Sequence, residues 1–206
     1  MALTFDEAIE RLTDRAAPRR LSGARRLRRL ADPAAGPVLL DALRREVDGP
    51  RTWETLYNLV MALGSCDHRA AAPYLYELAR HPFTATAVHT AVGDALVRLD
   101  REHHDDPGPI HRCLDTGNES LLDGAFRAMA MLRMVPDDAV IGRILDFLAP
   151  RPPEDGLRFW PAAAAAGWHG EAVRTFLTGC AAGPREDVAE AAAYSLTGRY
   201  KTYRHL

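Results

Sequence analysis

The residues most capable of chemistry stand in one short run, Glu102, His103, His104, Asp105 and Asp106, with His111 close behind. Carboxylates and imidazoles of this kind ligate divalent metals. Neighbouring ligands in a single link do not converge on one ion, however, and no HExxH or His-x3-His helix pair accompanies them. The run reads as a solvated loop, and no metal is expected. His81, His89 and His169 lie beside helix ends or small-residue faces, where ordinary hydrogen bonding accounts for them. Ser65-Cys66 falls at a helix end with nothing in sequence marking a partner base. No GxxxxGK or GxGxxG phosphate loop and no GxSxG elbow occurs. No cofactor and no catalytic residue is therefore expected, and a binding role takes precedence over an enzymatic one.

The charge pattern offers a second kind of site. Lys and Arg number 26 against 28 Asp and Glu, and Lys201 is the sole lysine. Arginine presents a planar fork suited to carboxylates and phosphates. Arg19, Arg20, Arg25, Arg26, Arg28 and Arg29 crowd into PRRLSGARRLRRLA, with Arg11, Arg15, Arg44 and Arg45 nearby. Such a cluster suits a phosphate backbone. Asp6, Glu7, Glu10, Asp14, Asp32, Asp41, Glu46 and Asp48 are interspersed, so a solvated face laced with ion pairs is the simpler reading. The net charge of −2 adds no general pull toward polyanions. Trp160 and Trp168 flank PAAAAAG, which suits packing around a close helix contact more than a stacking platform for bases.

Cys66, Cys113 and Cys180 are odd in number and far apart, which suggests buried reduced thiols and a cytoplasmic location. The opening MALTFDEAIERL carries early acids and is not expected to be a signal peptide. No segment approaches the roughly 20 apolar residues of a membrane span, so no membrane partner is expected.

Helices must position all of these groups. Thr4-x-x-Glu7 predicts a capping box, followed by Phe5, Ala8, Ile9 and Leu12 at helical spacing. Leu21, Ala24, Leu27 and Leu30 form the next stripe, stopped by Asp32-Pro33. Pro37 opens a helix bearing Leu39, Leu40 and Leu43, which Gly49-Pro50 closes. Thr52 is placed to cap the helix that follows. The same grammar continues to a last helix near residues 185–196. Leu30, Leu63, Leu99 and Leu132 end successive first helices at intervals of 33, 36 and 33 residues. Short links make paired helices antiparallel, and each pair must share its apolar face with the next.

The passages LADPAAGPVLLDALRRE, LGSCDHRAAAPYLYELARH and LRMVPDDAVIGRILDFL resemble the turn and second helix of a HEAT or HEAT-like repeat. The expectation is one all-α domain spanning residues 1–206, an α-solenoid of about five antiparallel helix pairs with extra terminal helices. The pattern departs at residues 101–108 and 149–155. The resemblance implies that second helices line a concave face. Aligned on Leu40, Leu75, Leu114, Leu145 and Leu177, they offer Arg45, Tyr76, Arg80, Arg112, Arg143 and Asp146 as the candidate protein-binding residues. Tyr and Arg anchor many interfaces. The competing reading is a solvated face held by inter-repeat ion pairs. The expected function is a non-catalytic scaffold or adaptor for a protein or peptide. The alternative is a nucleic-acid-binding or repair protein. Some alkylpurine DNA glycosylases are similar HEAT-repeat solenoids using aromatics and an acid, for which Trp53, Tyr76 and Asp146 are the right residue types. The tail Arg199-Tyr200-Lys201-Thr202-Tyr203-Arg204 either docks on a neighbour or frays.

Overall fold

A computed structural model describes residues 3–47 and 52–203. Every regular element among the described residues is helical. The chain divides into two compact units, Met1–Asp100 and Arg101–Leu206. The first holds α1 (Phe5–Arg11), α2 (Ala17–Leu30), α3 (Gly36–Glu46), α4 (Trp53–Ser65), α5 (Ala72–Leu78) and α6 (Thr86–Leu99). The second holds α7 (Gly108–Thr116), α8 (Glu119–Leu132), α9 (Asp138–Leu148), α10 (Phe159–Ala164), α11 (Glu171–Ala181) and α12 (Glu186–Leu196). No helix among the described residues is long and apolar enough to cross a membrane.

Local chemistry sets the ends. The Thr4 hydroxyl accepts from the Glu7 N–H at 3.2 Å, and the Thr4 N–H donates to the Glu7 carboxylate at 2.8 Å, closing the expected box. Helix α2 stops at Ala31, in the left-handed region at φ 51°, immediately before Asp32-Pro33, as expected. Asp32 accepts from the Ala34 N–H at 2.9 Å and opens a 3₁₀ turn into α3, where Pro37 lies in the first turn. Asn118 and Asp137 cap α8 and α9 from their side chains. Thr52 occupies the N-cap position of α4 without a side-chain cap bond. The expected stop at Gly49-Pro50 lies outside the described residues, as do Asp48 and Arg204.

In the first unit α4 packs between α2 and α6, with α1 on α2, α3 on α4 and α5 on α6. Leu27, Leu39, Leu43, Leu59, Leu63, Leu75, Leu96 and Leu99 are fully buried or nearly so. Gly23 brings α1 and α2 together. A Cβ there would lie 2.6 Å from the Ala8 carbonyl oxygen and 3.0 Å from the Arg11 Cβ. Alanine at this position gains about 1 kcal/mol of helix propensity, but a main-chain oxygen yields poorly and overpacking costs about 1–3 kcal/mol. Gly23→Ala is therefore expected to lower the urea midpoint. Gly179→Ala in α11, where a Cβ would meet nothing within 4 Å, is expected to raise it.

His89 on α6 is buried, its Nε2–H donating to the His81 carbonyl at 3.0 Å, with the Phe83 ring edge-on at 5.4 Å. Burial pushes its pKa below the ordinary imidazole value, the His81 hydrogen bond opposing this and the His81 charge adding to it. An unfolded chain protonates this ring near pH 6.5 while the folded chain does not. Stability is then fully present above about pH 6.5 and declines as pH falls toward the lower folded value. Urea melts from pH 7.5 to 5 should show this slope, and His89→Gln should flatten it.

In the second unit α8, α10 and α12 lie in contact succession, as do α7, α9 and α11. Helices α7 and α8 pack together, and so do α11 and α12. Ala162, Ala163, Ala164 and Ala165 are buried, and their small side chains permit the close approach expected around the tryptophans. The Trp168 indole N–H donates to the Met134 carbonyl at 3.1 Å, and the Ser195 hydroxyl to the Ala162 carbonyl at 2.6 Å. Both irregular stretches carry their own ties. Asp106 accepts from the Glu102 and Gly108 N–H groups, and Asp105 accepts from that of Val135. Arg158 donates to the Leu148 and Arg151 carbonyls. Cys66, Cys113 and Cys180 are free and buried, and burial pushes the Cys113 thiol up to about 12.

Candidate protein-binding surfaces

Helices α7 and α9 adjoin in the second unit. Each carries an arginine followed three residues later by an aspartate, Arg112/Asp115 and Arg143/Asp146, and all four are exposed. Three-residue spacing puts each pair on one helix face. The Arg143 guanidinium donates to Asp115 at 2.7 Å and to Nδ1 of His111 at 2.7 Å. A guanidinium only donates, so Nδ1 must be the bare nitrogen and the ring proton must sit on Nε2. Arg112 lies toward Gly108, where a Cβ would be 3.5 Å from its Nη1. Burial opposes ionisation of Asp106, but N–H bonds from Glu102 and Gly108 and the charges of His103 and Arg112 hold it below the usual carboxylate range. The two adjoining helices thus expose an alternating set of charges, Arg112, Asp115, Arg143 and Asp146, joined across the helices where Arg143 reaches Asp115 and His111. Asp115 remains 65% exposed and Arg143 43% exposed, so their pair contributes only about 0–1 kcal/mol to the fold.

The first unit treats its three predicted residues differently. Arg45 is exposed at the rim of a cavity of about 380 Å3 that Leu12, Thr13, Arg20 and Glu46 also line. Arg20 grips the buried Glu46 carboxylate through Nε at 2.7 Å and Nη2 at 2.9 Å. Tyr76 is half-buried, and its hydroxyl donates to Asp100 at 2.7 Å. Arg80 is exposed on the turn after α5. Arg44, the neighbour of Arg45 and about 100° around the helix from it, lies over the Tyr74 ring of α5, 5.5 Å from its centroid. His111 was missed as a member of the α7–α9 row; its signal was its place one turn before Asp115.

The arginine cluster on α2 is largely engaged within its own unit. Arg20 holds Glu46, Arg26 donates to the Leu3 carbonyl at 2.5 Å, and Arg28 reaches Asn58 at 3.4 Å while covering the Tyr57 ring. Arg19 pairs with Asp14 at 3.1 Å. Arg25 and Arg29 are exposed one turn apart. Trp53 is 44% exposed on α4. Asp105 and Asp106 serve as main-chain acceptors, and no group of three or more metal-capable side chains gathers among the described residues.

No protein family, curated protein or solved structure matches the chain.

Proposed function

We propose that the chain is a non-catalytic scaffold, a HEAT-like α-solenoid in plan, that binds a protein or peptide along its second helices. The observation that carries this reading is the exposed alternating row on α7 and α9. Arg143 ties Asp115 and His111 together across the two helices, their pairing contributes little to stability, and exposed charges of this kind select and orient a partner. Repeated helix pairs offer long surfaces for such contacts. A cytoplasmic setting accords with the three free thiols.

Panning a displayed library of random dodecapeptides tests the reading. Selected sequences are expected to bind the wild-type chain and to lose at least tenfold in affinity toward Arg143→Glu/Asp146→Arg. Failure to select any sequence, or equal binding to both proteins, contradicts it.

Nucleic-acid binding is favoured by one observation, the exposed Arg25, Arg29 and Trp53 on neighbouring helices of the first unit. It predicts a low-salt gel shift of single-stranded DNA that Arg25→Glu/Arg29→Glu abolishes. No shift at low salt removes it.

A further inference from the structure

The residues after α12 turn back onto their own unit. Gly198, at φ 67°, reverses the chain, and the Arg199 N–H donates to the Tyr194 carbonyl at 3.1 Å. From Tyr200 to Tyr203 the backbone has no regular structure, and three side chains hold it. The Tyr200 hydroxyl enters a notch at Gly167. A Cβ on Gly167 would lie 2.4 Å from this hydroxyl and 2.8 Å from Val135 Cγ2, so only glycine leaves the notch open. The Arg133 guanidinium covers the same ring at 5.1 Å. Lys201 pairs with Glu190. Tyr203 lies edge-on to Phe159 and Trp160, with centroids at 5.3 and 5.5 Å.

The surface thus has a notch for one ring, an acid for a cation and an aromatic corner for a second ring. One occupant fits imperfectly. The Tyr203 hydroxyl is buried with no hydrogen-bond partner among the described residues. Burial also pushes its pKa up to about 12, with the charges of Glu190 and Asp187 contributing. A buried, unsatisfied hydroxyl penalises the docked state. Phenylalanine fills the same corner without that penalty. A segment that misfits at one anchor gives way to a peptide that fits all of them once that peptide outweighs the segment's high local concentration.

We propose that this groove recognises an extended peptide of a partner protein, of the form Tyr-(Lys/Arg)-x-Phe, and that residues 200–203 are its built-in competitor. The proposal rests on reading the chain as a peptide-binding scaffold, but it uses a surface other than the α7–α9 row. The binding-competent state is the one with the segment released, so apparent affinity is reduced by the fraction still docked.

Fluorescence anisotropy with two labelled peptides tests this: TGRYKTY, the chain's own sequence, and TGRYKTF. The full chain should bind the Phe peptide about tenfold more tightly than the Tyr peptide. Tyr200→Ala/Tyr203→Ala, which vacates the groove, should bind both at least tenfold more tightly than wild type. Adding Glu190→Lys to that variant should abolish the gain. Arg143→Glu/Asp146→Arg should leave both affinities unchanged, which separates failure here from failure of the α7–α9 reading. In the full chain Tyr203→Phe should dock its own segment better and weaken peptide binding several-fold, and this arm stands even if the double variant misfolds. No gain on vacating the groove, or no effect of Tyr203→Phe, overturns the proposal. A stable dimer by light scattering that disappears in Tyr200→Ala/Tyr203→Ala also overturns it, by assigning the groove to a second copy of the chain.

Discussion

Phe126→Ala is expected to destabilise the second unit by about 3–5 kcal/mol, the usual range for truncating a buried aromatic ring. Phe126 has no exposed surface and heads the fully buried side chains in size. It lies on α8, which packs on both α7 and α10, and its ring meets Phe147 of α9 edge-on at 6.4 Å. Truncation removes transfer free energy and leaves a cavity that the surrounding helices cannot all close at once. Arg151 stacks over the Phe147 ring at 4.3 Å and pairs with Glu119 and Asp155, which further restricts relaxation there. Whole domains are stable by only about 5–15 kcal/mol, so this loss should appear as a large fall in the urea midpoint. Phe126→Leu, which retains most of the volume, should cost much less. Equal costs for the two would show that the ring does not fill the core as described.

Arg98→Ala is expected to destabilise the first unit, for an electrostatic reason. Asp94 is fully buried on α6, and the Arg98 Nε–H donates to it at 2.5 Å, one turn along the same helix. Removing the guanidinium leaves a buried carboxylate without that cation. The alanine also withdraws an aliphatic stem from the close α4–α6 contact, where the Arg98 Cδ lies 3.3 Å from a Cβ built on Gly64. Asp94→Leu/Arg98→Met removes both charges while keeping volume, and buried pairs replaced this way are often neutral or stabilised. Chemical denaturation of the two variants should place the double variant well above Arg98→Ala. A double variant as unstable as the single one would assign the loss to packing.

Features governed by a few adjacent residues were legible in the sequence. The Thr4–Glu7 box and the proline in the first turn of α3 are local, and apolar spacing located the helices around them. Residues 101–107 and 149–155, within the stretches where the expected pattern departs, are irregular in the structure, and the division between the units falls after Asp100. Features set by rotation about a helix or by distant partners were less legible. Arg44 lies over Tyr74 of α5 while Arg45, one residue and about 100° further round the helix, is exposed. Tyr76 is tied to Asp100, 24 residues away, which no spacing rule announces. Half of the arginine cluster on α2 is turned to Glu46, Leu3 and Asn58, so counting its charges overstated the face that α2 presents. The fate of residues 200–203 depended on a notch created by one glycine some thirty residues earlier.

Amide hydrogen exchange locates a bound peptide on the chain directly. The chain would be compared alone and saturated with a library-selected dodecapeptide. Protection is expected to concentrate in Gly108–Thr116 and Asp138–Leu148, the helices that carry the alternating row. Protection confined to Ala17–Leu30 and Trp53–Ser65, or no change anywhere, would contradict it.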